Sequence, residues 1–199
     1  MSRTLQELMH EIQELEDRVL ERIQRKGHGL QFKLREGKVV FEKEVLRRHK
    51  ALAKRLHRYL LDSSLLKIIT APLIYSVFLP MLLLDVTISV YQAICFPIYK
   101  IPKVHRRDYI ALDRYRLSYL NVIERFNCDY CSYANGLVAF TREIAARTEQ
   151  HWCPIKHAQK LKDCHARQCL YCEYGDAEGF RKRFDQLRNE FSDLDRDQG

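Results

Sequence analysis

The chain has 199 residues, which is enough for one or two domains, and its few Gly and Pro residues and 30% charged residues are typical of a folded protein. Its net charge of +8 suits nucleic acid, anionic lipid or simple solubility, so the positions of the charges must decide among these. The first residues lack the apolar run of a secretory signal peptide, so we expect a reducing compartment for the seven cysteines and no disulfide framework.

Residues 1–62 are predicted to form an N-terminal helix, a small β-hairpin and a second, basic helix. Apolar residues recur at spacings of three and four in the first helix, which makes residues 5–23 a candidate for self-association or for binding a protein partner: Leu5, Leu8, Ile12, Leu15 and Val19. The alternation in LQFKLR and VVFEKE, on either side of EGK, predicts two short strands. From Glu42 onwards, an apolar face opposite Lys and Arg predicts an amphipathic helix that lies on a membrane surface.

Residues 63–101 are predicted to be embedded in a lipid bilayer. Ile68 to Leu84 alone approaches the roughly 20 apolar residues that span about 30 Å of hydrocarbon. Pro72, Pro80 and Asp85 complicate a straight span, because proline kinks a helix and a carboxylate in the bilayer needs a partner. Two topologies fit this segment: a kinked helix that crosses the bilayer, or a re-entrant helical hairpin that turns near Pro80.

Positive charge flanks this segment on both sides. Eight basic residues come before it or at its start, and four follow it: Lys43, Arg47, Arg48, Lys50, Lys54, Arg55, Arg58 and Lys67, then Lys100, Lys103, Arg106 and Arg107. Anionic headgroups attract such clusters, so a membrane with anionic lipids is the preferred partner and nucleic acid is disfavoured. Because Lys and Arg beside membrane segments stay in the cytoplasm, the charge on both flanks favours the re-entrant hairpin with both termini cytoplasmic.

Residues 102–191 are predicted to form a helical Cys/His-rich module, and residues 192–199 a disordered tail. The segment DYIALDRYRLSYLNVIERFN is predicted to form one helix, SYANGLVAFTREIAARTEQHW a second and GFRKRFDQLRNEF a last short one. The predicted fold class is therefore mainly α. Its other parts are the small β-hairpin near the N-terminus and a membrane-embedded segment that is either a helical hairpin or a kinked helix.

Two CxxC pairs, Cys128 with Cys131 and Cys169 with Cys172, predict a metal site in this module. Each pair can bend into a knuckle that aims both sulfurs at one point, and two pairs supply the four thiolates of a structural zinc site. Further donors between the pairs could complete a second site or replace one pair: Cys153, His157, Cys164 and His165. Zinc is therefore the expected ion.

Three alternatives remain open for the same part of the chain. Iron or an iron–sulfur cluster could use the cysteines, although the close C-x2-C-x2-C run of ferredoxins is missing. The first CxxC pair precedes a predicted helix, as a thiol-disulfide exchange motif does, although no strand is predicted before it. A carboxylate-bridged di-iron site could use four helical residues: Glu124, Glu143, Glu149 and His151. However, the ExxH spacing of such sites is absent, and salt bridges to Arg142 and Arg147 explain the glutamates better.

No complete catalytic motif occurs in the chain, since GxGxxG, GKS or GKT, GxSxG and HExxH are all absent. The segment FNCDYCSYANGLVAFTREIAARTEQHWCPIKHA resembles a group of uncharacterised bacterial proteins with similar cysteine segments, over roughly Phe96 to Ala158. The resemblance implies a bacterial origin and no activity. We therefore expect an accessory protein of the bacterial cytoplasmic membrane with a cytosolic metal site. The alternative is a membrane redox or lipid-modifying enzyme that uses iron or a dithiol at the cysteine cluster.

Overall fold

A computed structural model describes residues 14, 15, 18, 22, 32–35, 38–41, 43–54, 56–61 and 64–194. The chain divides into two compact units, one of Met1–Arg55 with Arg116–Asn121 and one of Leu56–Tyr115 with Val122–Gly199. Helices dominate the described residues, so the predicted mainly α class is confirmed. The predicted association segment, residues 5–23, lies outside the described residues except for four helical positions: Glu14, Leu15, Arg18 and Arg22.

The first unit contains a pair of antiparallel strands: β1 (Phe32–Arg35) lies within the predicted segment LQFKLR, and β2 (Lys38–Phe41) begins one residue before the predicted segment VVFEKE. Helix α1 (Lys43–Leu52) follows. Val45 is buried, whereas the Lys and Arg side chains of α1 from Arg47 onwards are exposed, which is the amphipathic pattern expected from the sequence. The ring of His49 meets the edge of Tyr119 at 5.1 Å, so residues 116–121 belong to this unit.

The described residues of the second unit form five α-helices: α2 (Leu56–Leu61), α3 (Leu65–Ser76), α4 (Phe78–Tyr99), α5 (Val122–Trp152) and α6 (Ala177–Leu187). Short 3₁₀ helices occupy Arg106–Asp108, Arg114–Arg116 and Ala166–Leu170. This unit takes in both the apolar segment predicted to be membrane-embedded and the module that contains six of the cysteines.

Helices α3 and α4 form one nearly continuous apolar helix, with no turn near Pro80. The residue between them, Val77, keeps helical dihedral angles (φ −65°, ψ −19°), and its carbonyl accepts the N–H of Met81 at 3.2 Å. Pro80 is the third residue of α4, where a missing N–H costs little because the first turn of a helix has no partner for it. Within the described residues the chain therefore continues as one helix from Leu65 to Tyr99 and does not turn back near Pro80, as the re-entrant hairpin requires.

Helix α5 is longer than the sequence suggests, and the segment before it is not helical throughout. Asp108 to Asn121 was predicted to belong to a helix, but it contains only 3₁₀ turns. The CDYC segment was predicted as a break, but it lies inside α5. No Gly or Pro occurs between Val122 and Asn135, so nothing in the local sequence interrupts the helix once it has started.

Helices α4 and α5 run side by side in the same direction. Phe78, the first residue of α4, contacts the ring of Tyr133 in the first half of α5, and Tyr99 contacts Trp152 where both helices end. Because two parallel helices need a crossover, the chain after Tyr99 returns along α4. On the way, Val104 exchanges two hydrogen bonds with the side chain of Gln92, at 2.8 and 3.2 Å. The buried core lies between these three layers: Phe96, Ile101, Val104, Tyr133, Leu137, Phe140, Ile144 and Phe191.

The returning segment crosses α5 at Gly136. A β-carbon at this position would lie 2.6 Å from the carbonyl oxygen of Tyr109 and 2.9 Å from Cγ1 of Ile110. Such distances are below normal contact, so only glycine permits the segment to approach the helix this closely. The core residue Leu137 follows directly and is fully buried.

The end of the described chain is packed and partly contradicts the predicted tail of residues 192–199. Phe191 is 7% exposed, and Leu194 packs against the core cluster. The carboxylate of Asp193 accepts a hydrogen bond from Arg167 at 3.2 Å. Residues 195–199 of the predicted tail lie outside the described residues.

Candidate membrane face and cysteine sites

The apolar helix α3–α4 leaves most of its surface uncovered. Its 35 residues have a mean hydropathy of 2.0 over their most apolar 18-residue window, and none of that window is buried. One helix among the described residues is thus long and apolar enough to cross a membrane. More than half of the side-chain surface is exposed at several large apolar positions along it: Leu65, Leu66, Ile69, Leu73, Ile74, Leu79, Leu83, Val86, Val90, Ile94 and Ile98. We call these residues the apolar face.

Asp85, the carboxylate within the apolar stretch, points towards the rest of the unit and is paired. Its Oδ2 accepts hydrogen bonds from Arg106 at 2.5 Å and from the hydroxyl of Tyr133 at 2.9 Å, and Ser89 donates to Oδ1 at 3.4 Å. The Asp85 side chain is 14% exposed. Burial, followed by the hydrogen bond to this carboxylate, raises the pKa of Tyr133. The charge that argued against lipid contact is therefore satisfied on the side away from the apolar face.

Exposed basic residues lie at both ends of the apolar helix. Lys67 is in the first turn of α3, and Lys100 and Lys103 directly follow α4. Lys100 ends the helix in the left-handed conformation (φ 57°), and Pro102 follows it. The basic residues of α1 belong to the first unit. Within the second unit, positive charge therefore lies at both ends of the long apolar helix.

The first CxxC pair does not form a knuckle. Cys128 and Cys131 lie one helical turn apart inside α5, the former half-buried and the latter exposed. The helix begins six residues before Cys128, so the pair is not at the helix N-terminus that a thiol-disulfide exchange motif uses to lower a thiol pKa. The structural premise of that alternative is therefore missing.

The second CxxC pair lies at the opposite end of α5. Cys172 is 1% exposed, and its N–H donates to the carbonyl of Pro154, just after the helix, at 2.9 Å. Burial raises the pKa of Cys169. The 21 residues from Cys131 to Trp152, the last residue of α5, correspond to about 30 Å of helix at 1.5 Å per residue. The structure therefore does not bring the two pairs together, and one zinc ion held by all four thiolates does not fit this arrangement.

The intermediate donors lie near the second pair, around Glu149. Cys153 and Cys164 are exposed, and Nε2 of His157 is 4.0 Å from the Glu149 carboxylate. Burial, and then the charge of Glu149, raise the pKa of Cys153, so this thiol stays protonated and is a poor nucleophile near neutral pH. Among the described residues, no group of three or more His, Cys, Asp or Glu side chains is placed to hold a metal ion.

The sequence did not indicate that His165 contacts Glu149. Its Nε2 is 2.6 Å from the Glu149 carboxylate, across 16 residues of chain. Within the described part of the chain, the other ring nitrogen of His165 is buried without a hydrogen-bond partner. The two residues are not at helical spacing, so no local pattern could have paired them. Glu149 is thus the point at which the loop after α5 returns to that helix.

A buried ion network joins α5, the returning segment and the C-terminal part. Glu143 Oε1 accepts hydrogen bonds from Arg147 at 2.8 Å and from Arg167 at 3.4 Å, and the two arginines are 7% and 5% exposed. Arg147 also donates to the carbonyls of Pro102 and Lys103. Of the two arginines expected to pair with glutamates, Arg147 pairs with Glu143, whereas Arg142 pairs with Asp163. Glu143 and Glu149 are therefore engaged in ion pairs, which leaves the di-iron alternative without support.

Buried His151 makes the stability of this unit depend on pH. Arg188 donates to its Nε2 at 2.9 Å and its Nδ1 faces the Arg188 carbonyl at 3.3 Å, so the imidazole is held neutral. Burial is the main cause that lowers the pKa of His151 below 6.5.

We expect the unfolding free energy to fall as the pH drops below about 6.5, because the unfolded chain then binds a proton that the folded one resists. Urea unfolding of the wild type and of His151→Gln at pH 7.5, 6.5 and 5.5 measures this. The variant should lose less stability than the wild type over this range, and equal losses would contradict the assignment.

Comparisons with protein-family models, with curated proteins and with solved structures give no match for this chain. The function therefore has to be argued from the described residues alone.

Proposed function

We propose that the protein is a membrane-attached accessory protein that holds its Cys/His-rich module at a lipid surface through the apolar face of α3–α4. The observation that supports this most is the burial pattern of that helix: its most apolar 18-residue window has no buried residue, although the same unit contains a well-formed core. A soluble protein rarely leaves so large a contiguous apolar surface in water. The exposed lysines at both ends of the helix suit an anionic bilayer surface.

Vesicle flotation tests the attachment. The full chain should float with vesicles of phosphatidylcholine and phosphatidylserine. A triple variant with glutamate on the apolar face, Leu79→Glu, Leu83→Glu and Val86→Glu, should bind more than about 100-fold more weakly, because each buried aliphatic side chain contributes about 1.5–3 kcal/mol. All three positions are exposed, so the fold should tolerate the change, which circular dichroism checks.

A matched control separates loss of the apolar face from added negative charge. Asn135→Glu, Gln159→Glu and Gln186→Glu also add three negative charges, at exposed neutral polar positions. This control variant should still float, with only the modest loss that a lower net charge causes. Flotation of the apolar-face variant as strong as that of the control would contradict the proposal.

For the location, we propose the cytoplasmic membrane of a bacterium, with the Cys/His-rich module on the cytosolic side. The positive charge at both ends of the apolar segment supports this sidedness. The cysteines also suit a reducing compartment, since none of the seven forms a disulfide within the described part of the chain. The resemblance to bacterial cysteine-containing segments supports the source.

Metal binding is a second, separate proposal. His157 and His165 both approach the Glu149 carboxylate, and Cys153 directly follows α5, so we propose these residues as the zinc donors in place of the two CxxC pairs. Elemental analysis of the purified protein tests this. Stoichiometric zinc that is lost in Glu149→Gln supports it, and iron in a coloured sample favours the alternative of a redox or lipid-modifying enzyme.

A further inference from the structure

The apolar helix is accompanied by a charged helix over most of its length. Hydrogen bonds and ring contacts link α3–α4 to α5 from Ile74, whose carbonyl accepts the hydroxyl of Tyr130, to Tyr99, which contacts Trp152. Between these, the hydroxyl of Tyr91 lies 3.0 Å from that of Thr148. Seven charged residues occur along α5: Glu124, Arg125, Asp129, Arg142, Glu143, Arg147 and Glu149.

The unaccompanied part of the apolar helix is too short to cross a bilayer. At most Leu65–Leu73 extends beyond the first contact with α5, and nine residues correspond to about 14 Å of helix. The hydrocarbon core is about 30 Å thick. A crossing helix would therefore draw the start of α5, with Glu124, Arg125 and Asp129, into the hydrocarbon, where charged side chains are costly.

The polar side of the apolar helix is also defined. Asp85 and Gln92 lie one to two turns apart on the side that faces the returning segment, where they bond Arg106 and Val104. On the opposite side, Val86 and Val90 of the apolar face are 61% and 52% exposed. The side of the helix with Asp85 and Gln92 thus suits contact with water and protein, and the apolar face suits contact with hydrocarbon.

We infer that α3–α4 lies along the surface of a single leaflet, with the apolar face in the acyl chains and α5 on the aqueous side, and that it does not cross the bilayer. This inference rests on the proposed membrane attachment and adds its geometry. Lys67 at one end and Lys100 and Lys103 at the other then reach anionic headgroups of the same leaflet. Both flanks of the helix remain on one side of the membrane.

Depth-dependent fluorescence quenching tests the geometry. The chain has one tryptophan, so Trp152→Phe supplies a silent background for four single-tryptophan variants on the apolar face: Ile69→Trp, Leu79→Trp, Val86→Trp and Ile94→Trp. The first and last positions are separated by about 38 Å of helix at 1.5 Å per residue. Each variant is bound to phosphatidylserine-containing vesicles whose acyl chains are brominated at a shallow, a middle or a deep carbon.

A helix along one leaflet should give all four reporters the same preferred bromine depth, with quenching ratios that agree within about twofold. A crossing helix should place the central reporters at the deep bromines and the terminal ones near opposite headgroups, and that result would overturn the inference while leaving the membrane attachment intact. If none of the variants binds vesicles, the attachment itself fails. A dimer in solution whose reporters are protected without lipid would assign the face to a second copy of the chain and overturn both.

Discussion

Replacing Glu143 with glutamine is expected to lower the unfolding free energy of the second unit by roughly 3 kcal/mol, the low end of the cost of leaving a buried charge without its partner. Glu143 is the shared acceptor of Arg147 and Arg167, whose side chains are 8% and 6% exposed. Asp193, half-exposed, remains as a second acceptor for Arg167 and moderates the loss. Urea unfolding followed by circular dichroism measures the change.

Arg142→Ala supplies the matched control, one position earlier in the same helix. Arg142 pairs with Asp163, but the two side chains are 44% and 82% exposed. Exposed ion pairs contribute about 0–1 kcal/mol, so this variant should remain within about 1 kcal/mol of the wild type. If Glu143→Gln lowers the unfolding free energy no more than Arg142→Ala does, the buried ion network around Glu143 does not contribute the stability expected from its burial.

Gly136→Ala is expected to destabilise the protein by about 1–3 kcal/mol, the usual cost of overpacking. The direction of this change is the test, because Gly→Ala inside an ordinary helix raises the unfolding free energy by about 1 kcal/mol. The new methyl group would meet the carbonyl oxygen of Tyr109 at 2.6 Å and Ile110 behind it, and the returning segment would have to move away from α5. Thermal unfolding gives the direction at once.

The neighbouring exposed position provides the comparison for this glycine. Asn135→Ala also introduces alanine, a better helix former, but at an exposed position where no atom is added next to the returning segment. It should leave the stability within about 0.5 kcal/mol of the wild type, as surface changes usually do. If Gly136→Ala stabilises the protein, the returning segment lies farther from α5 at this point than the contacts of Tyr109 and Ile110 indicate.

The parts of the fold that the sequence predicts are those with strong local patterns. The apolar helix follows from a long run of mainly apolar residues, Leu65 to Tyr99. The loss of helix before Val122 was not predictable in this way, since Asp108 to Asn121 has no Gly or Pro, whereas Tyr109 and Ile110 at its start pack against Gly136. Local propensity is a weak guide where tertiary contacts decide.

The candidate sites show the same limit. CxxC spacing predicts a knuckle only if the chain bends there, and Cys128 and Cys131 occur in a helix that continues for 21 further residues. The contact of Glu149 with His165 joins residues that have no periodic relation, so only the folded chain brings them together. The sequence alone indicates that Asp85 needs a partner in an apolar segment. It does not identify Arg106, because that contact depends on the returning segment running beside α4.

The parallel pairing of α4 with α5 also determines an order of events during synthesis. The ribosome completes the apolar helix at Tyr99 and must add 53 more residues before Trp152 ends the helix that covers its polar side. At roughly 5–20 residues per second, this interval is about 3–10 s. Throughout it the nascent helix exposes its whole circumference, including the residues that later form the core. A bilayer that receives the apolar face during this interval would protect the growing chain from aggregation and leave the opposite side free for α5 to dock.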